Sequence, residues 1–307
     1  MNFRLKVYFY EIIFRKNDTT LKKITLLSTL LFGGSLFAQI INTAPYILTI
    51  PELKAWTQDG PTASVDLIST VPLATRFTNT ATQFNPDLNS NMQIAYLPDG
   101  MNNFGNYHGE QGQFNLYNFT HWQYIDKFVW FGGTSTQTVQ LPSSPWANAA
   151  HKNGVKIFGD IFFSPTAYGG STATLQSFLE QDGSGNFIVI PKLVAMMQYY
   201  KFDGWFINQE TATTSAVASL MHDFVRDLTA QVEALGKEVM WYDAMRLTGA
   251  VGWQNRLNAN NSAFLQDDQD GNTTNGYETR VSSSMFINFF WSGSSYPTAS
   301  RTRARTI

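Results

Sequence analysis

The pattern of apolar and polar positions changes at about residue 121, after which apolar runs alternate with amphipathic segments. Residues 155–163 and 202–207 are nearly continuous apolar runs, which is typical of strands that are buried on both faces. Further strands are predicted at residues 124–131, in the EVMWYDAM segment and at residues 282–291. Because predicted strands alternate with predicted helices, we expect a parallel sheet.

The clearest predicted helix follows Thr213 and Thr214 and ends at Gly236. Its apolar positions recur with a period near 3.6 residues, as a helix with one buried face requires. They are Val217, Leu220, Met221, Phe224, Leu228, Val232 and Leu235. Shorter helices are predicted in WANAAHK, which stops at Gly154, and in VIPKLVAMMQYY.

A parallel sheet that is covered on both faces fits either a doubly wound sheet or a (β/α)8 barrel. No G-x-G-x-x-G turn follows a predicted strand, which removes the main signal for dinucleotide binding. Polar and aromatic residues cluster where several strands end, and this favours a TIM barrel, whose active site lies at that edge. Only about five strands can be counted before Ile307, so we expect an α/β fold that is an incomplete (β/α)8 TIM barrel, with C-terminal strands missing.

The N-terminal segment resembles a secretory leader. Lys22 and Lys23 precede an apolar run that begins at Ile24 and ends near Ala38. We therefore predict a signal peptide at residues 1–38, a polar lead-in at 39–110 and the truncated barrel at 111–307. This organisation predicts secretion or the cell envelope, with the cytoplasm as the alternative, and no membrane association after leader removal. A buried N-terminal helix is the alternative interpretation of the leader.

Composition narrows the chemistry. The chain of 307 residues is 43% apolar and 14% charged, which indicates a globular protein, and its net charge of −2 argues against a nucleic-acid partner. Aromatic residues make up 15%, which fits either a core rich in phenylalanine or a cleft lined by rings. The absence of cysteine excludes disulfides, thiolate metal sites and a cysteine nucleophile. The four histidines form no metal-binding motif, so we predict neither a metal nor a cofactor.

The FDGWFINQE segment carries the main candidate chemistry. Asn208 and Glu210 follow a buried strand and, two residues apart, should project to one side of it. Glu210 could simply cap the next helix. Alternatively it is a general acid beside a neutral amide, whereas most glycosidases use two carboxylates. One carboxylate suits a 2-acetamido sugar that attacks its own anomeric carbon, with Asn208 accepting the acetamido N–H and a hydrophobic surround raising the pKa of Glu210.

The same segment resembles the signature of glycoside hydrolase family 85, the endo-β-N-acetylglucosaminidases that cleave the chitobiose core of N-glycans. Supporting segments follow in the same order over most of the chain after residue 110: HWQYIDKFVWF, PWANAAHKNGVKIFGDI, VMWYDAM, WQNRLN and FINFFW. The resemblance implies a barrel and retention through an oxazoline intermediate. It also implies release of the glycan with one GlcNAc left on a protein partner, by an enzyme that we expect to be a monomer.

Site residues follow from the resemblance by matching position. Glu210 is the expected acid/base, Asn208 orients the acetamido group and Tyr242 contacts the intermediate. Five aromatic residues resemble the walls of the sugar cleft, with core packing as the alternative for each: Trp130, Tyr168, Trp253, Phe290 and Trp291.

Two other functions stay open. The D-x-x-D-x-D-x-E motif of family 18 chitinases overlays in register from Asp203 to Glu210, but Phe206 and Asn208 replace its second and third aspartates. The absence of these two aspartates disfavours a chitinase. A glycan-binding protein that has lost catalysis but kept the aromatic cleft is the alternative outside enzymes.

Overall fold

The computed structural model describes residues 47–63, 65–76, 92–98, 119–268 and 277–307. The predicted leader, residues 1–38, lies outside these residues, and so does part of the predicted lead-in. Within the described ranges, no helix combines the length and the apolar character that crossing a membrane requires.

Strands and helices alternate through most of the described chain. The strands are β1 (Ile47–Leu48), β2 (Ala95–Tyr96), β3 (Lys127–Val129), β4 (Val139–Gln140), β5 (Lys156–Phe163), β6 (Gly204–Gln209), β7 (Glu238–Tyr242), β8 (Gln266–Asp267), β9 (Thr279–Arg280) and β10 (Ser284–Phe286). The helices are α1 (Ile50–Ala55), α2 (Ser144–Lys152), α3 (Thr172–Phe178), α4 (Val189–Tyr200), α5 (Ser215–Glu233) and α6 (Ser295–Ala304).

The main sheet is mixed, and its parallel part carries the strands that the sequence predicts. Parallel pairing runs in the order β2-β3-β5-β6-β7-β10. Strand β4 pairs antiparallel with β5 beyond the point where β3 ends, and β1 pairs antiparallel with β4. Among the described strands the sheet remains open at β2 and β10. The alternating α/β pattern is therefore confirmed, whereas barrel closure is not seen in this part of the chain.

Three strand predictions were too long, including EVMWYDAM, of which only Glu238–Tyr242 forms β7, and the short strands β1, β2, β4, β8 and β9 were not predicted. The structure shortens the strand predicted at 124–131 to β3, because Trp122–Tyr124 forms a 3-10 turn before it. It also shortens the strand predicted at 282–291 to β10. Strands β1 and β2 both lie in the lead-in at residues 39–110, where no strand was predicted. Two residues are too few to show an alternating pattern.

The two faces of the sheet have separate apolar clusters. The outer face packs against helices α2, α4 and α5 and includes Trp205, Ile207 and Trp241. The inner face holds a smaller cluster formed by Val129, Phe158, Phe206, Met240, Tyr242 and Ala244. Alternation along β6 thus sends odd-numbered side chains to the outer core and even-numbered ones to the inner face.

A network of charged residues stabilises the amino ends of the parallel strands. The buried Asp203 carboxylate bonds His151 Nε2 at 2.8 Å and Lys237 Nζ at 2.6 Å, and it accepts the Ile157 N–H at 2.9 Å. Burial opposes ionisation, but these hydrogen bonds and charges lower the pKa of Asp203. This ion network lies at the end of the strands opposite the carboxyl end, where the active sites of TIM barrels lie.

Candidate active site

Strand β6 delivers Asn208 and Glu210 to the carboxyl edge of the sheet, on its inner face. Phe206, two residues before Asn208, belongs to the inner cluster, so Asn208 shares that face. The Glu210 N–H donates to the Phe163 carbonyl at 2.9 Å, which continues the ladder one residue beyond β6. Because the register is kept, Glu210 projects to the same side as Asn208.

The Glu210 carboxyl is half-buried and has one indole partner. Trp253 Nε1 donates to Glu210 Oε1 at 3.2 Å. Burial raises the pKa of Glu210 because the charged form loses solvation, and the hydrogen bond from Trp253 offsets part of that rise. A carboxyl whose pKa is raised in this way is suited to act as a general acid near neutral pH.

The Asn208 amide presents an unused acceptor. Its side chain is 5% exposed, and Oδ1 has no hydrogen-bond partner among the described residues. Leaving a buried acceptor unpaired costs about 1–3 kcal/mol, so such an atom in a native site calls for an explanation. A ligand N–H that reaches this oxygen would supply the missing bond.

Tyr242 ends β7 on the same inner face. Its hydroxyl donates to Asn288 Oδ1 at 2.9 Å. Burial raises the pKa of Tyr242 strongly, and the charges of Glu210 and Asp243 raise it further, while the nearby Trp253 N–H partly opposes the rise. Tyr242 is therefore a neutral hydroxyl in the neighbourhood of Glu210.

A second carboxyl, which the sequence analysis does not single out, lies directly after β7. Asp243 is fully buried, and burial raises its pKa to about 6. Backbone amides of Gln254, Asn255 and Asn288 face it and lower the pKa, although neither oxygen meets hydrogen-bond geometry with a described residue. The charge of Glu210 raises the pKa of Asp243, so the two carboxyls are close enough to interact.

Asn255 and Asn288 are further site residues that sequence reasoning missed. Asn288 Nδ2 donates to Asn255 Oδ1 at 2.6 Å, and the Phe290 N–H donates to the same oxygen at 3.3 Å. The Asn255 carbonyl accepts from Trp291 Nε1 at 2.7 Å. The only available signal is that both asparagines lie in the WQNRLN and FINFFW segments, which carry predicted aromatic residues.

Four of the five predicted aromatic residues lie on loops at the carboxyl edge. Tyr168 follows β5, Trp253 follows β7, and Phe290 and Trp291 follow β10; all four are exposed. The neighbouring Phe289 is also exposed, and its ring lies 5.3 Å from that of Phe290. These rings provide apolar surface of the kind that covers a sugar face.

Trp130 is placed elsewhere, and its prediction as a cleft wall requires correction. It is fully buried in the outer cluster, where its ring lies 5.2 Å from the ring of Trp146 in helix α2. Its position directly after Val129, an inner-face residue, turns it to the opposite side of the sheet. Core packing, the alternative left open by the sequence, describes this residue.

The chain is similar to a known family and to several known proteins. The family described as "Glycosyl hydrolase family 85" matches residues 99–307. The cytosolic endo-beta-N-acetylglucosaminidases of Mus musculus and Homo sapiens are 35% and 34% identical to the chain, each over 75% of it. The chain spans 30% and 29% of the length of these two relatives.

A solved structure is also similar. The glycoside hydrolase domain of Endo-D from Streptococcus pneumoniae superposes with a TM-score of 0.67 at 25% identity. That match covers 84% of this chain and 39% of the Endo-D chain. The match of the family to residues 99–307 covers more than half of the 307 residues, and the relatives exceed 30% identity over three quarters of them. The chain belongs to glycosyl hydrolase family 85.

Proposed function

We propose that this protein is an endo-β-N-acetylglucosaminidase that hydrolyses the GlcNAc-β1,4-GlcNAc core of N-glycans. The observation that carries the proposal is the pairing of one carboxyl of raised pKa, Glu210, with the buried and unpaired amide oxygen of Asn208 on the same face of β6. The names of the curated relatives support the same activity.

The geometry supports a retaining reaction in which the sugar supplies the nucleophile. Protonated Glu210 donates its proton to the glycosidic oxygen as the bond from that oxygen to C1 breaks. The carbonyl oxygen of the 2-acetamido group attacks C1, and its N–H donates to Asn208 Oδ1, which orients the group and disperses the developing positive charge. The N–H proton stays on nitrogen and remains hydrogen-bonded to Asn208 Oδ1, so the intermediate is the protonated oxazoline, an oxazolinium ion.

The second half of the reaction reverses these roles. The Glu210 carboxylate takes a proton from water as the water oxygen attacks C1, and the C1–O bond of the oxazoline opens to restore the acetamido group. Two inversions at C1 give net retention. Neutral Tyr242 faces the same space and contacts the intermediate, while Tyr168, Trp253, Phe290 and Trp291 cover the sugar faces.

We also propose that the six parallel strands are part of a (β/α)8 barrel. The position of the candidate site at their carboxyl ends and the similarity to the Endo-D glycoside hydrolase domain support this. The names of the curated relatives contain the word cytosolic, which favours the cytoplasmic alternative over export for this chain. Fractionation of cells that express the chain from Met1 tests the location, since a leader that acts would move it out of the cytosol.

A high-mannose glycopeptide tests the activity. We expect release of free glycan with one GlcNAc left on the peptide, and no release by Glu210→Gln. Retained binding without release by the unmodified protein would favour the glycan-binding alternative, for which the exposed Tyr168 and Phe290 rings provide surface. Cleavage of chitin oligomers in place of the glycopeptide would favour the chitinase alternative.

Asn208→Ala tests the mechanism. We expect the rate of oxazoline formation to fall far more than glycopeptide affinity, because the acceptor acts mainly on the developing charge. A synthetic oxazoline of the same sugar bypasses this step and serves as the matched control, since its hydrolysis should stay close to the wild-type rate. Equal losses in affinity and rate would contradict the assigned role.

A further inference from the structure

The loops that follow β7 and β10 meet at Asn255. Its side-chain oxygen accepts from Asn288 Nδ2 at 2.6 Å and from the Phe290 N–H at 3.3 Å, and its backbone carbonyl accepts from Trp291 Nε1 at 2.7 Å. One residue of the first loop thus holds three groups of the second. Its neighbour two positions earlier, Trp253, donates to Glu210.

The backbone at Asn255 suits asparagine. Its φ is +55°, in the left-handed region where residues other than glycine are uncommon and asparagine is enriched. This conformation lets the side-chain oxygen and the backbone carbonyl both face the β10 loop. Most other side chains would strain the turn by about 1–2 kcal/mol in this conformation.

The hydrogen bonds have a defined direction. A backbone N–H can only donate, so the Phe290 N–H fixes the facing atom of Asn255 as its oxygen. Asn288 must then turn its NH2 group toward Asn255 and its oxygen toward Tyr242. The Tyr242 hydroxyl consequently donates its hydrogen bond to Asn288, and its lone pairs face the cleft.

Two observations agree with that orientation of Tyr242. The Trp253 N–H lies close enough to the Tyr242 oxygen to lower its pKa, as a donor to those lone pairs would. Burial and the nearby carboxyls keep the hydroxyl neutral, so it does not gain a second role as an anion. An oxygen lone pair directed into the cleft favours a positively charged intermediate.

We propose that Asn255 is a positioning residue that acts through Asn288 to orient the Tyr242 hydroxyl as an acceptor toward the reacting sugar. This inference rests on the proposed function. In this proposal Asn255 acts without touching the sugar. Its effect is on the rate of the chemical step, because the charge that Tyr242 faces develops only during that step.

Asn255→Gly and Asn255→Asp separate the side chain from the backbone. Glycine tolerates the left-handed conformation and keeps the carbonyl that binds Trp291, but lacks the side-chain acceptor. Aspartate tolerates the conformation and keeps an acceptor. On the glycopeptide we expect Asn255→Gly to lower kcat by about tenfold with KM changed by less than about twofold. Asn255→Asp should retain kcat within about threefold at its own pH optimum.

A double-mutant cycle with Tyr242→Phe shows whether Asn255 acts through Tyr242. If it does, adding Asn255→Gly to Tyr242→Phe should lower kcat by less than about twofold. Additive losses, or a kcat for Asn255→Gly equal to wild type, would overturn the inference. If Asn255→Gly does not fold, Asn288→Ala replaces it in the cycle, because it removes the residue that links Asn255 to Tyr242.

The wild-type control distinguishes this inference from the proposed function. If the unmodified protein releases no glycan, the proposed function fails before any variant is compared. If it releases glycan and the cycle is additive, only the role of Asn255 fails. Thermal unfolding of each variant should stay within about 4 °C of wild type, so that lost activity is not lost folding.

Discussion

Replacing Trp253 with phenylalanine should move the pH dependence of the reaction in a direction that the structure fixes. The Trp253 indole donates to Glu210 Oε1 at 3.2 Å and stabilises the ionised carboxylate. Phenylalanine keeps an aromatic face for the sugar but has no N–H. The pKa of Glu210, already raised by burial, should therefore rise further in Trp253→Phe.

The size of the shift follows from the strength of that bond. A hydrogen bond to a charged group contributes roughly 1.5–3 kcal/mol when well shielded. Trp253 is 48% exposed and the bond is long, so water replaces part of it and about 1 kcal/mol remains. Since one pKa unit corresponds to about 1.4 kcal/mol, the shift should be about 0.7 units.

The assay is the pH profile of kcat/KM on the glycopeptide, which reports groups of the free enzyme. In the proposed mechanism protonated Glu210 is the active form, so activity is present below its pKa and is lost as pH rises through it. The basic limb should thus move upward by about 0.7 pH units in Trp253→Phe. Tyr168→Ala is the matched control, because Tyr168 lies after β5 and should lower kcat/KM without moving the limb. A limb that stays in place or moves downward in Trp253→Phe would refute the assignment of Glu210 as the acid.

Three further substitutions test the fold and the placement of Trp130 in the core. Asp203→Asn should lower the free energy of unfolding at pH 7 by about 3 kcal/mol. Because the folded-state pKa of Asp203 is lowered, the deficit in urea unfolding should shrink as pH falls below about 4, and a constant deficit would contradict the ion network. Trp130→Phe should lower the thermal midpoint and leave KM unchanged. A raised KM would instead show that Trp130 lines the cleft. Gly204→Ala should cost about 3 kcal/mol or prevent folding, because the new Cβ would lie 2.0 Å from the Glu238 carbonyl; wild-type stability would show that β6 and β7 can separate.

Most of the parallel sheet could be predicted from the sequence because its strands are buried on both faces. Strands β5 and β6 are long apolar runs with at most one residue that is not buried, and helix α5 shows a complete apolar stripe. Short strands behave differently. Strands β2 and β4 have two residues each and carry no readable period, so their pairing depends on neighbours that are distant in the sequence.

The candidate site likewise contains residues that the sequence predicts and residues that it does not. Asn208 and Glu210 were predictable because spacing along one strand determines their common face. The bond between Asn288 and Asn255 joins residues 33 positions apart, and no local pattern predicts it. Trp130 was wrongly predicted to line the cleft, because a resemblance between sequences does not determine which face of the sheet a ring occupies. Its burial against Trp146 depends on where β3 ends.

The inner face of β6 explains how a single carboxyl can serve as the acid. Below Glu210 this face presents the neutral Asn208 amide and then Phe206, one of the inner apolar cluster. A carboxylate at position 208 would titrate together with Glu210 as a coupled pair, and the proton would be shared between them. With an amide there, the proton favours Glu210 because burial disfavours its charged form and raises its pKa. Phe206 and Asn208, the residues that depart from the chitinase pattern, therefore fit the proposed roles of Glu210 as proton donor and of Asn208 as acceptor for the sugar amide.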